Sequence, residues 1–173
     1  MIINAYILLL IILGIFLAII YSAPPLRLRR NYVGNLLIGI SLVISFIVGV
    51  LSISDLGILF EVKNITYSFI LFLLGTVVTF AKDIKDVKSD YKFGIKNFYT
   101  IYGKEKGKRI VIFLVFLILN TPAFILKNLV LLPLTFIVSL SACYIYYKKE
   151  DEKPVYIVSA LLMAFIFVIL YYF

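Results

Sequence analysis

The sequence predicts an all-α, polytopic transmembrane helix bundle of about six spans, a single domain over residues 1–173. Three observations predict it. The chain is 64% hydrophobic with a mean hydropathy of +1.11, and only 15% of it is charged, where a soluble domain carries about a quarter. Apolar runs recur at close to the length needed for one bilayer crossing, about 20 residues. The charges sit in short patches between those runs, as membrane loops do. A net charge of +8 could suit nucleic acid, but its confinement to inter-span patches argues for loops beside a membrane and against a nucleic-acid partner.

The spans run at about 2–20, 34–54, 66–81, 109–126, 129–147 and 155–173. The first lacks a basic stretch before it and is too long for a signal-peptide core, so it is a retained span. Pro24 and Pro25 end it and stiffen the exit. The third span is short and is expected to continue as helix into an acidic segment at 83–90. Lys127-Asn128 leaves room only for a tight antiparallel hairpin between spans four and five. Pro133 falls near the start of the fifth, where a missing N–H costs little. Cys143 lies inside an apolar run as a small buried residue, and a lone cysteine gives no disulfide framework.

Loop charges set the direction. Fifteen of the 17 lysines and arginines fall in the segments after spans one, three and five; only Lys63 and Lys127 fall elsewhere. The positive-inside rule then places loops 21–33 and 82–108 in the cytoplasm and both ends of the chain outside, in a multi-pass cell-membrane protein. With no histidine, histidine metal ligands and a serine–histidine triad are excluded.

Two constellations carry chemistry. In Asp83-Ile-Lys-Asp86-Val-Lys-Ser-Asp90 the three carboxylates at i, i+3 and i+7 share about 60° of a helix, with Lys82, Lys85, Lys88 and Lys92 read as the other side. Carboxylates so crowded repel unless a cation neutralises them, and Mg²⁺ held by one or two carboxylates plus phosphates suits them. In Tyr21-Ser-Ala-Pro-Pro-Leu-Arg27-Leu-Arg29-Arg30 two guanidinium groups follow at a fixed distance from the bilayer edge, fit for phosphate oxygens or for anchoring at lipid headgroups. The loop from Lys92 to Arg109 is either a lid over a bound phosphate or a basic stretch beside an anionic leaflet.

Taken with Gly34-Asn35-Leu-Leu-Ile-Gly39, and with Gly94 and Gly103 after the aspartates, these motifs resemble the UbiA family of intramembrane prenyltransferases, with the chain matching the C-terminal two-thirds of that bundle. The resemblance implies Mg²⁺-dependent transfer of a polyprenyl group from its diphosphate to a membrane lipid or aromatic acceptor. A prenylglycerol phosphate of archaeal ether-lipid synthesis is the first acceptor to consider. It implies Asp83, Asp86 and Asp90 as the metal and catalytic set, Arg27, Arg29 and Lys82 as holders of the polyprenyl diphosphate, and Asn35 at the border of the site. The chain departs from the family in three places. The family's first aspartate motif has no counterpart before Tyr21. Val78-Thr79 stand where many archaeal relatives carry Arg-Glu. Asn97 stands where a threonine is common. A two-metal clamp needs both aspartate motifs, so the expectation is an enzyme inactive alone and completed by a separately encoded N-terminal half or by a homo-oligomer. The alternative is a non-catalytic membrane protein that binds cations or lipid diphosphates.

Overall fold

The computed structural model describes residues 5–127 and 129–172, so the predicted span ends at Ile2 and Phe173, and Asn128 of the predicted hairpin joint, lie outside the described residues. Six helices are long and apolar enough to cross a membrane: α1 (Ala5–Ser22), α2 (Tyr32–Leu51), α3 (Val62–Lys82), α6 (Lys104–Ile125), α7 (Leu131–Lys149) and α8 (Lys153–Tyr172). Two short helices, α4 (Val87–Lys92) and α5 (Phe98–Tyr102), lie between α3 and α6. This is the multi-pass helical bundle that the apolar runs predict. The loop expected at 82–108 is shorter and more structured than its composition suggests, because α6 starts at Lys104, five residues before the predicted span at 109.

α3 is the central helix and packs against α2, α6 and α8. Ile70, Leu74 and Val77 are wholly buried on it, and Val111, Val115 and Leu119 of α6 face the same core. In lipid, helices gain little from hiding apolar surface from one another, so close packing and interhelical hydrogen bonds must hold them. Both are visible. Gly39 lets α2 approach α3 so closely that a Cβ there would lie 2.4 Å from Thr76 Oγ1 and 2.6 Å from the Phe72 carbonyl. Between α6 and α7, Asn120 Nδ2 donates to Ser139 Oγ at 2.8 Å, and the Thr135 hydroxyl donates to Asn120 Oδ1 at 3.1 Å. At the end of the bundle away from the aspartates, Phe46, Tyr67, Phe167 and Tyr171 form an aromatic cluster beside Asn64, which accepts from the Tyr171 hydroxyl. Cys143 is buried, as its setting in an apolar run predicts.

α1 differs from the rest. It packs on α2 and on the turn at Leu28–Arg30, and none of its described residues is buried. Its apolar surface is turned outward almost all round.

Candidate functional site

The aspartate segment begins where α3 stops. Lys82 is the last residue of α3; the next amides reach back three residues, not four, with Ile84 N–H to Ala81 O, Lys85 N–H to Lys82 O and Asp86 N–H to Asp83 O. This tight 3₁₀-like turn interrupts the helix expected to run through 83–90, and α-helix resumes only at Val87. The three carboxylates still converge on one cavity of about 250 Å³, lined by Tyr21, Arg29, Asn31, Asn35, Lys82, Asp83, Asp86, Asp90, Ile95, Lys96 and Asn97.

Four stretches of chain meet there. α1 brings Tyr21, and the start of α2 brings Asn31 and Asn35. Backbone ties the first cytosolic segment to the second: Lys96 N–H donates to Arg30 O at 2.7 Å, within an isolated parallel bridge between Asn31 and Lys96. The stretch read as a lid or a basic loop is therefore folded onto the site. Asn35 is nearly buried and its Nδ2 donates to Asp83 Oδ2 at 2.9 Å. Asn97 Nδ2 donates to Asp90 Oδ2 at 2.7 Å, while its Oδ1 accepts from the Tyr99 and Thr100 amides and caps α5. Each outer aspartate thus has its own asparagine, from a different element.

The electrostatics are those of carboxylates short of positive partners. Burial pushes the Asp83 carboxyl up to about 6; the Asn35 hydrogen bond and the Lys82 charge act against that rise. Burial, and the neighbouring Asp86 charge after it, also raise Asp90, against Asn97 and Lys82. Lys85, inside the tight turn, does not help. It faces the α7–α8 turn, where its ammonium lies 2.7 Å from Glu152 and 3.9 Å from Asp151.

Six of the seven residues singled out from the sequence line this cavity: Arg29, Asn35, Lys82, Asp83, Asp86 and Asp90. Arg27 does not. It takes a left-handed backbone conformation, with φ of 38°, and although the residue is half-buried its Nε is fully buried and has no hydrogen-bond partner. Lys82, which the sequence reading sets opposite the acids, lines the cavity together with them. It precedes Asp86 by four residues, which on a helix leaves the two about 40° apart. Tyr21, Asn31, Lys96 and Asn97 are lining residues that the spacing argument did not single out. For Asn97 a signal existed: Asn97-Phe-Tyr-Thr100 is a helix-start pattern, and the structure forms the full capping box.

Hard oxygen donors that repel one another suit Mg²⁺, which keeps several ligands from water or phosphate and takes only one or two carboxylates from protein. Among the described residues, no group of three or more acidic or cysteine side chains is arranged to hold a metal ion. Asp83, Asp86 and Asp90 supply carboxylate oxygens, and Arg29, Lys82 and Lys96 supply positive charge, to the lining of the same cavity.

The model of the UbiA prenyltransferase family matches residues 1–169. No curated protein and no solved structure matches the chain.

Proposed function

The chain belongs to the UbiA prenyltransferase family, and from that premise we propose that the aspartate cavity takes the diphosphate of a polyprenyl diphosphate with Mg²⁺ and delivers the prenyl group to a lipid or aromatic acceptor. A prenylglycerol phosphate is the acceptor to test first. The observation that carries this reading is the meeting of three carboxylates with Arg29, Lys82 and Lys96 in one cavity at the end of an apolar bundle.

The residues divide the work. Asp83, Asp86 and Asp90 would hold Mg²⁺, which when bound supplies Lewis-acid stabilisation of the leaving diphosphate. Arg29, Lys82 and Lys96 place fixed positive charge where diphosphate charge grows as the allylic C–O bond breaks. The electron pair leaves with the diphosphate, and the acceptor nucleophile bonds to the allylic carbon and loses its proton. Asn35 and Asn97 orient the outer carboxylates. On the positive-inside reading the cavity faces the cytoplasm. A clamp of two metal ions needs a second acidic set, which in this proposal comes from another polypeptide segment or from a second copy of the chain.

Because Asp83, Asp86 and Asp90 are the acids that line this cavity among the described residues, a second reading is a subunit that binds cations and lipid diphosphates without turnover. One experiment separates the two: the full chain in liposomes with geranylgeranyl diphosphate, Mg²⁺ and an acceptor, scored by diphosphate release and prenylated product. Release by the wild type and its loss in Asp86→Asn support transfer. Mg²⁺ binding without release, with any candidate N-terminal partner also present, supports the binding subunit.

A further inference from the structure

Two buried tyrosines outside the acidic segment, Tyr99 and Tyr146, meet the end of α3 at the point where its hydrogen bonding changes. A regular helix would send Ile84 N–H to Phe80 O and Lys85 N–H to Ala81 O. Here those amides go to Ala81 and Lys82. The displaced carbonyls are met by side chains. Tyr99 Oη of α5 lies 3.3 Å from Phe80 O as its donor, and Tyr146 Oη of α7 donates to Ala81 O at 2.9 Å. The two hydroxyls also meet each other; with one proton each, Tyr146 donates to Ala81 O while Tyr99 donates either to Phe80 O or to Tyr146 Oη. Both residues are almost wholly buried, at 1% and 0% exposure.

We propose that Tyr99 and Tyr146 are positioning residues that fix the break after Lys82 and so set where Asp83 stands relative to Asp90. Phenylalanine would fill the same core space, so packing alone does not call for the hydroxyls. The Phe80 carbonyl, which has lost the Ile84 amide, does, since a buried carbonyl left unpaired costs the full desolvation of the group; Ala81 O keeps Ile84 N–H only at 3.5 Å, and Tyr146 gives it a closer donor at 2.9 Å. Tyr99 also reaches the other end of the acidic segment: its amide donates to Asn97 Oδ1, and Asn97 holds Asp90. One residue therefore joins the end of α3, which presents Asp83, to the side chain that orients Asp90. Tyr146 adds the tie to α7, which has no side chain in the cavity. If either hydroxyl is lost, the 3₁₀-like turn competes with continued α-helix, and the carboxylates rotate with it.

The consequence for Mg²⁺ rests on the proposed use of the cavity; the effect on the turn does not. The test uses the full chain in nanodiscs as wild type, Tyr99→Phe, Tyr146→Phe and, as a control for general destabilisation, Val111→Ala in the same core. Hydrogen exchange is followed for peptides covering 80–90, beside the Mg²⁺ concentration giving half-maximal diphosphate release. The expected result is about tenfold faster exchange within 83–90 in each tyrosine variant, and a Mg²⁺ midpoint raised about tenfold or more, as loss of an outer-shell partner usually gives. Val111→Ala should lower the melting temperature and move neither readout. Exchange over 83–90 that stays at the wild-type rate in both tyrosine variants overturns the proposal, whatever their melting temperatures. If the wild type releases no diphosphate, the prenyl-transfer reading fails, while the exchange data still decide the role of the tyrosines.

Discussion

Gly39→Ala should damage the site from a distance, because the contact that binds α2 to α3 also sets the reach of Asn35. A Cβ at position 39 would lie 2.6 Å from the Phe72 carbonyl and 2.4 Å from Thr76 Oγ1. The threonine hydroxyl could turn away; the carbonyl belongs to α3 and could not. Restoring that contact to 3.4 Å, the near edge of ordinary van der Waals distance, parts the two helices by about 0.8 Å. Asn35 lies one turn earlier on the same face of α2, and its 2.9 Å bond to Asp83 would open to about 3.7 Å, beyond hydrogen-bonding range. Overpacking of this kind costs about 1–3 kcal/mol. Losing a hydrogen bond to a charged group costs about 1.5–3 kcal/mol, which at 1.4 kcal/mol per factor of ten is roughly one to two orders of magnitude in Mg²⁺ affinity. The assay is thermal unfolding in detergent together with a Mg²⁺ titration of the same sample. Gly49→Ala, on the same helix with nothing within 4 Å of the added methyl, is the control. It should be neutral or slightly stabilising, since alanine is the better helix former. A Gly39→Ala protein that melts early but binds Mg²⁺ like the wild type would refute the coupling. One that matches the wild type in both would refute the close approach itself.

Asn97→Ala should cost about 1 kcal/mol for the lost α5 cap and raise the Mg²⁺ midpoint about tenfold; Asn97→Asp keeps an acceptor for the cap but sets a second buried carboxylate against Asp90, so without metal its melting temperature should stay below that of the wild type and rise as pH is lowered. Because burial holds Asp83 at about 6, Mg²⁺ binding followed by calorimetry should weaken as pH falls from 7 to 5, with proton release on binding growing as pH falls through 6, whereas a fully solvated aspartate would keep its charge to about pH 4. The sign for stability is opposite: the folded-state value lies above the unfolded one, so without metal this group's contribution to stability declines as pH rises from about 4 to 6. In a Cys143→Ala background, Lys88→Cys should react with a membrane-impermeant thiol reagent only from the cytoplasmic side and Lys63→Cys only from the outside; the reverse pattern would overturn the orientation drawn from loop charge.

The parts of this protein legible in the sequence are those written in local composition. Apolar runs give all six spans because crossing length is a property of the run itself, and the spacing Asp83, Asp86, Asp90 survives a change of helix type because all three still line one cavity. What was not legible comes from partners distant along the chain. Nothing in Asp83-Ile-Lys-Asp86 breaks a helix: there is no glycine or proline, and the break coincides with hydroxyls 13 residues or more beyond Asp86, at Tyr99 and Tyr146. Arg27 and Arg29 look equivalent as a pair two residues apart, yet the turn after Pro25 puts one in the left-handed region and only the other on the cavity. Asn97 read as a departure from a family pattern, and in the structure it holds an aspartate and caps a helix at once. A threonine there could serve the cap, but its shorter hydroxyl would have to reach Asp90 without the amide's second arm. The substitution therefore bears on how Asp90 is aimed, and an Asn97→Thr variant that kept its cap and lost Mg²⁺ affinity would show that this chain orients its third carboxylate by an amide where a threonine is common.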